Sequence, residues 1–151
     1  MSAKETLENA AHLVCDLTVK NNLVLEKADL FSTFVGMLQH AILIDKKIDN
    51  GEPVSLMVIT NDTDAKKRMY EFAKLLFDTS EFTRMVSNEL IWTNRIHIHF
   101  LKARVGAVVG YRIDYALIDI STENGQKVHR NTFPVVASNP NGKCVMVEEV
   151  L

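Results

Sequence analysis

Apolar and polar positions change period several times along the chain, and each change marks an element. Between Lys4 and about Lys20, Leu7, Ala10, Ala11, Val14, Leu17 and Thr18 follow the three- and four-residue spacing of an amphipathic helix, and Asn21-Asn22 closes it. From Ala28 or Asp29 to about Ile48, the residues Phe31, Phe34, Val35, Leu38, Ala41, Ile42 and Ile44 predict a helix apolar around most of its circumference, hence packed on several sides. Asp49-Asn50-Gly51-Glu52-Pro53 is a turn. The continuous apolar run Val54 to Thr60 then predicts a strand covered on both faces.

Asn61 or Thr63 is placed to cap a helix from Asp64 to Phe77, with a stripe of Ala65, Met69, Phe72, Ala73, Leu75 and Leu76. A shorter helical piece is expected over Glu81 to Val86. Strands follow at Glu89 to Trp92 and Arg95 to Phe100, joined at Thr93-Asn94, and at Tyr111 to Ile120. Asn124-Gly125 reads as a turn, Thr132 to Ala137 as a further strand and Cys144 to Val150 as the last. Helices first, then β–α–β units with a hairpin, predict an α/β sheet covered by helices on both faces.

The 151 residues suit one domain with a real core, and 47% hydrophobic against 24% charged residues excludes a disordered chain. A formal net charge of −2 gives no global attraction to nucleic acid. Lys66, Lys67 and Arg68 form a local basic run, read first as a solvated helix face and second as a nucleic-acid contact. Cys15 and Cys144 lie far apart and read as reduced thiols, Cys15 as inert core. Met1 to Glu5 lacks the apolar core of a signal peptide and no apolar run approaches membrane-spanning length, so a cytoplasmic location is expected.

Three segments carry a more specific pattern. Ala107-Val108-Val109-Gly110 leads towards the apolar strand Tyr115-Ala116-Leu117-Ile118-Asp119, and Ser138-Asn139-Pro140-Asn141-Gly142 follows about twenty residues later. Together with the helix from Ser32 to Ile44, the strand Val54 to Thr60 and the helix Asp64 to Leu76, this order resembles the ATPase domain of tailed-phage large terminase subunits of the T4-like type. The resemblance spans roughly residues 25 to 145. It implies a single P-loop NTPase-like, RecA/terminase-like domain over residues 1 to 151, with an N-terminal helical segment over about 4 to 48 and a β-hairpin insertion. It also implies that Asp119 stands where a Walker B carboxylate holds a metal, and that Ser138 to Gly142 stand where a coupling loop sits.

The departures from that pattern remove the chemistry. At the place of the phosphate loop the chain reads Glu26-Lys27-Ala28-Asp29-Leu30-Phe31-Ser32-Thr33, with no glycines to let backbone N–H groups converge. Phe31 stands at the lysine position, and Ser32 and Thr33 remain as vestiges. Ile120 replaces the carboxylate that would polarise the attacking water, and Val109 replaces the arginine of the approach turn. Such a chain is expected to be a pseudo-ATPase with no catalytic residues and no cofactor, encoded by a phage or mobile element and working in the host cytoplasm. Its expected role is to modulate or interfere with a DNA-packaging motor or to bind another host or phage protein.

Other readings compete. Asp119 reads equally as a strand-end carboxylate capping a local N–H, and Asn139 to Gly142 as a plain turn. His97 and His99 fall on one face of a strand, as two ligands of a zinc site would, with Asp114 or His129 as a third in a metal-dependent hydrolase or nuclease. Solvated histidines on an exposed hairpin are the plainer expectation. Trp92 and Phe100 read as hairpin packing before base stacking. An oligomeric scaffold, with the exposed edge of the sheet pairing between chains and the Arg95 to Phe100 hairpin buried in the interface, is a further reading, as is an arginine supplied in trans to an active ATPase from Arg95, Arg104 or Arg112.

Overall fold

The computed structural model describes residues 3–86, 88–104, 112–137 and 142–149, without the side chains of residues 3, 27, 131–137 and 149. The chain begins with helix α1 (Ala3–Val19), strand β1 (Asn22–Ala28), helix α2 (Leu30–Leu43) and a short α3 (Lys46–Asp49). Strand β2 (Val54–Thr60) leads to α4 (Thr63–Leu75), a 3-10 turn (Thr79–Glu81) and the strands β3 (Phe82–Val86), β4 (Glu89–Trp92) and β5 (Ile96–Lys102). Strand β6 (Tyr115–Asp119), helix α5 (Glu123–Ala137) and strand β7 (Lys143–Glu149) complete it.

The strands form a seven-stranded sheet in the order β1-β7-β6-β2-β5-β4-β3. The five from β1 to β5 in that order run parallel, and β4 and β3 add antiparallel at one end. The fold is therefore α/β, with a mostly parallel sheet and an appended hairpin. Alternation along each strand divides the core. Leu56, Val58, Leu117, Val145 and Phe100 face α1, α2 and α4, while Met57, Ile59, Ala116, Ile118 and Cys144 face α5 through Val128. The chain moves from β1 to β2 and from β2 to β5 on the first face, then back from β6 to β7 on the second. A single handedness of parallel crossover requires this division.

Helix α2 is buried on most sides, as its circumference predicts, because α1 lies across it. A Cβ at Gly36 would come within 2.8 Å of Leu13 Cδ2 and 3.1 Å of the Ala10 carbonyl oxygen, so glycine lets the two helices approach closely there without displacing Leu13. The aromatic cluster beneath α4 (Phe31, Phe34, Phe72, Tyr70 and Phe100) packs edge-on and tilted, with the Phe31 and Phe72 centroids 4.8 Å apart. The Thr93-Asn94 turn has positive φ at both positions, 51° and 59°, the geometry of a tight hairpin twisted to match its strands. Trp92 packs on Phe77 at 5.1 Å and donates Nε1–H to Glu81, which bears out hairpin packing.

The structure corrects several expectations. Asn22–Ala28 is a strand where the sequence pattern gave only a link: Leu23 and Leu25 pack inward while Val24 is exposed on an edge with one neighbour. The second helix ends at Leu43 and restarts at Lys46, with Asp45 accepting from the Lys47 N–H as a new N-cap. Glu81 to Val86 is mostly strand β3, not helix. Asp62, not Asn61 or Thr63, caps α4, and Leu75 and Leu76 leave its stripe for solvent. Of the α1 positions, Leu13 is buried where Val14 was expected, and Cys15 is exposed rather than core.

The largest correction concerns residues 123–137. Asn124-Gly125 is no hairpin turn and Thr132 to Ala137 no strand; both belong to α5. Thr132, Val135 and Val136 favour a strand locally. However, β6 and β7 are parallel neighbours, and joining them takes a long crossover that a helix supplies. The Arg95 to Phe100 segment is not itself an edge. Strand β5 is bonded to both β2 and β4, and β1 and β3 form the edges, so the open edge at the hairpin end of the sheet is β3.

Candidate functional site

At the carboxyl end of β1, the chain turns directly into α2. The first turn of a helix carries N–H groups without intrahelical partners and is where a phosphate would bind. Here Asp29 fills that place. Its carboxylate accepts from Phe31 N at 3.2 Å, from Ser32 N at 3.1 Å and from the Ser32 hydroxyl at 2.8 Å. Thr33 Oγ1 bonds back to the Asp29 carbonyl at 2.8 Å. Ser32 and Thr33 are buried, and with Asp29 they border an open groove of about 340 Å³ between α1, β1 and α2. Phe31 turns away into the aromatic contact with Phe72.

Asp119 ends β6, almost fully buried, and its Oδ1 accepts from the Ser121 N–H at 2.9 Å. That local bond is the plainer of the two roles open to it. Asp119 is not among the residues that line the groove bordered by Ser32 and Thr33. Ile120 packs against the core under α5, and its N–H donates to the Val147 carbonyl. Ala107 to Gly110, Tyr111 and the coupling-loop positions Ser138, Asn139, Pro140 and Asn141 lie outside the described residues; Gly142 is buried just before β7.

The opposite, amino-terminal end of the sheet gathers a polar network that the sequence pattern did not single out as a unit. Tyr115, fully buried at the start of β6, donates its hydroxyl to Asp45 at 3.2 Å and lies 2.7 Å from His40 Nδ1. Because the carboxylate can only accept, the tyrosine oxygen accepts from Nδ1–H, and the neutral imidazole presents Nε2 as an acceptor. Burial and the Asp45 charge push the Tyr115 pKa well up, so the phenol stays protonated. Next to it, Lys47 pairs with Asp114, whose other oxygen accepts from Ser55 N at 2.9 Å. Lys143 is buried at the start of β7, and its ammonium donates to Asn21 Oδ1 at 2.8 Å. Its pKa is lowered by burial, with Asp45 opposing the shift. The only sequence signal was polar residues standing within apolar runs: His40 inside α2, and Asp114 ahead of a fully apolar strand.

His97 and His99 do share one face of β5, half-buried rather than solvated, in a cleft of about 230 Å³ with Ser55, Arg112 and Asp114. Among the described residues no three His, Cys, Asp or Glu side chains come together as metal donors. Lys66 bonds to Asn88, and Lys67 and Arg68 face solvent, the plainer reading of that run. Arg95, Arg104 and Arg112 are exposed. Cys144 is buried against α5 and its thiol is pushed up to about 12, leaving it un-ionised at neutral pH. No helix among the described residues is long and apolar enough to cross a membrane.

Three histidines, His40, His99 and His129, have pKa values lowered from the ordinary 6.5, chiefly by burial. Each binds its proton less readily in the folded chain than in the unfolded one. Their contribution to stability is therefore complete above about pH 6.5 and is lost as pH falls below that value. Urea midpoints are expected to drop on going from about pH 7.5 to pH 5.5, and His40→Gln should flatten part of that slope. A midpoint constant across the range would contradict the burial argument.

No protein-family model and no curated protein matches this chain.

Proposed function

We propose that this chain is a non-catalytic, protein-binding domain on a P-loop-NTPase-like sheet, a pseudo-ATPase of the terminase type. The observation that carries this reading is Asp29. A carboxylate already occupies the helix N-terminus that a triphosphate would need, and it satisfies two backbone amides and a hydroxyl there. A nucleotide would have to displace it against charge repulsion, with Phe31 offering no cation. Phosphoryl transfer depends almost wholly on positioning and electrostatic stabilisation, and neither Asp29 nor Phe31 can supply these to a triphosphate. The order of strand, helix, hairpin and Asp-terminated strand along the chain supports the terminase-like assignment. That assignment points to a phage or mobile-element protein that modulates or obstructs a DNA-packaging motor, or binds another protein partner, with no cofactor.

Isothermal titration with Mg·ATP and Mg·ADP is expected to show no binding at micromolar to sub-millimolar nucleotide. Asp29→Ala should cost about 1 kcal/mol of stability by uncapping α2, and should still bind no ATP because the lysine is absent. Micromolar ATP binding by the wild type would overturn the proposal. Affinity capture from phage-infected cells, read by mass spectrometry, is expected to recover a packaging-motor subunit; recovery of unrelated host proteins alone would remove the terminase part of the reading.

A further inference from the structure

At the amino ends of β6 and β7, bounded by the C-terminal turns of α1 and α2 and by α3, lies a cavity of about 530 Å³. This size suits a small molecule. Lys143, His40, Tyr115 and Asp45 line it, with Thr18 and Lys46 also on its wall. It lies at the opposite end of the sheet from Asp29, so nothing about it depends on how the α2 N-terminus is read.

Two polar groups in its lining carry the inference. Lys143 is only 9% exposed, and among the described residues its ammonium meets the neutral Asn21 amide oxygen and no carboxylate at ion-pairing distance. An ammonium has three N–H donors, and burying one without a counter-ion is costly. His40 is 4% exposed, and its Nε2 has no hydrogen-bond partner among the described residues. With the phenol proton given to Asp45, the Tyr115 oxygen takes Nδ1–H, and on that assignment Nε2 is a lone-pair acceptor. The two groups are close enough for the Lys143 charge to depress the His40 pKa. Asp45 faces both and is already bonded to Tyr115 and to Lys47 N. Lys47 is committed to Asp114, leaving Lys46 and Glu52 as the other charges around the opening.

We propose that this cavity binds a small anion that also carries a hydroxyl proton, with dihydrogen or monohydrogen phosphate, or a phosphate monoester in its monoanionic form, as the simplest fit. Its oxygens accept from the Lys143 ammonium while its P–OH donates to His40 Nε2. Sulfate has matching shape and charge but no proton to donate at neutral pH. Asp45 repels either anion and sets a limit on affinity.

Titrating the isotope-labelled chain with inorganic phosphate, glycerol phosphate and sulfate tests this by NMR. Phosphate is expected to shift Asn21, His40, Tyr115 and Lys143 together, and sulfate to bind more weakly. At about pH 6, where a monoester still carries P–OH in part, glycerol phosphate binding tighter than inorganic phosphate would identify a monoester as the ligand class, and the reverse a free phosphate. Lys143→Met should weaken phosphate binding by about ten-fold or more. Asp45→Asn keeps the α3 cap through its amide oxygen but turns an NH2 towards Tyr115, which sends the phenol proton to His40 Nδ1 and makes Nε2–H a donor. It should tighten binding of both anions and narrow the preference for phosphate over sulfate, which provides an independent readout should Lys143→Met fail to fold. Equal affinity for sulfate, shifts spread over exposed lysines, or binding weakened by Asp45→Asn would each overturn the proposal.

Discussion

Replacing Gly125 by alanine is expected to destabilise the fold by about 3 kcal/mol or more, against the ordinary preference of helices for alanine. Helix propensity alone would favour the change by about 1 kcal/mol. Packing decides otherwise. The first turn of α5 lies so close to the end of β6 that a Cβ at position 125 would fall far inside contact of the Asp119 carbonyl oxygen. It would also sit 3.0 Å from the Asp119 carbonyl carbon and 3.2 Å from Asn61 Oδ1. The obstructing atoms are mainly backbone at the end of a central strand, so relief requires moving the helix. That movement would break the Thr122–Asn61 hydrogen bond, 2.7 Å long, and loosen the Thr122 hydroxyl that accepts from Gly125 N. Overpacking of this kind costs about 1 to 3 kcal/mol where side chains can yield, and more where backbone cannot. Urea denaturation checks it; a midpoint equal to or above that of the wild type would show that α5 is free to shift.

Asp114→Ala is expected to cost a similar amount, about 3 kcal/mol, for an electrostatic reason. Asp114 is 2% exposed and links three elements: an ion pair to Lys47 on α3, a side-chain bond to Ser55 N at the start of β2, and its carbonyl to Lys143 N at the start of β7. Removing the carboxylate leaves the Lys47 ammonium, itself only 15% exposed, with no counter-charge, and leaves Ser55 N without its acceptor. Surface ion pairs are worth about 0 to 1 kcal/mol, whereas breaking a buried pair on one side costs about 3 to 5 kcal/mol. The lower end applies because Lys47 can extend towards the cavity opening. Asp114→Asn retains an acceptor for Ser55 and should lose less. A double-mutant cycle with Lys47→Met measures the coupling directly, and a coupling near zero would place this pair with solvent-exposed ones.

The two expectations differ in how far the sequence could have supplied them. Asp114 is visible in the sequence as a carboxylate ahead of an apolar strand and as a possible third metal ligand, but nothing in the pattern pairs it with Lys47, 67 positions earlier. Gly125 was visible and misread. Asn-Gly between apolar runs is a strong hairpin signal, and the alternative use of glycine, close approach to another backbone, depends on a neighbour distant in sequence. The vestigial site divides the same way. Absence of glycines and lysine before α2 is legible residue by residue, while the carboxylate of Asp29 filling the helix terminus is a fact of local geometry. The His40–Tyr115–Asp45 chain joins residues 75 and 70 positions apart and leaves no periodic trace.

Local chemistry therefore determined the α/β class, the doubly covered strand Val54–Thr60, the Thr93-Asn94 hairpin and the want of a phosphate cradle. Each follows from side-chain period, turn preference or composition within a short window. The tertiary structure decided the strand order, the edge position of β1, the helical state of residues 123–137 and the polar cavity at the amino ends of β6 and β7. Those features arise because parallel neighbours demand crossovers and because buried charges find partners across the sheet, and both operate over separations that no local pattern records.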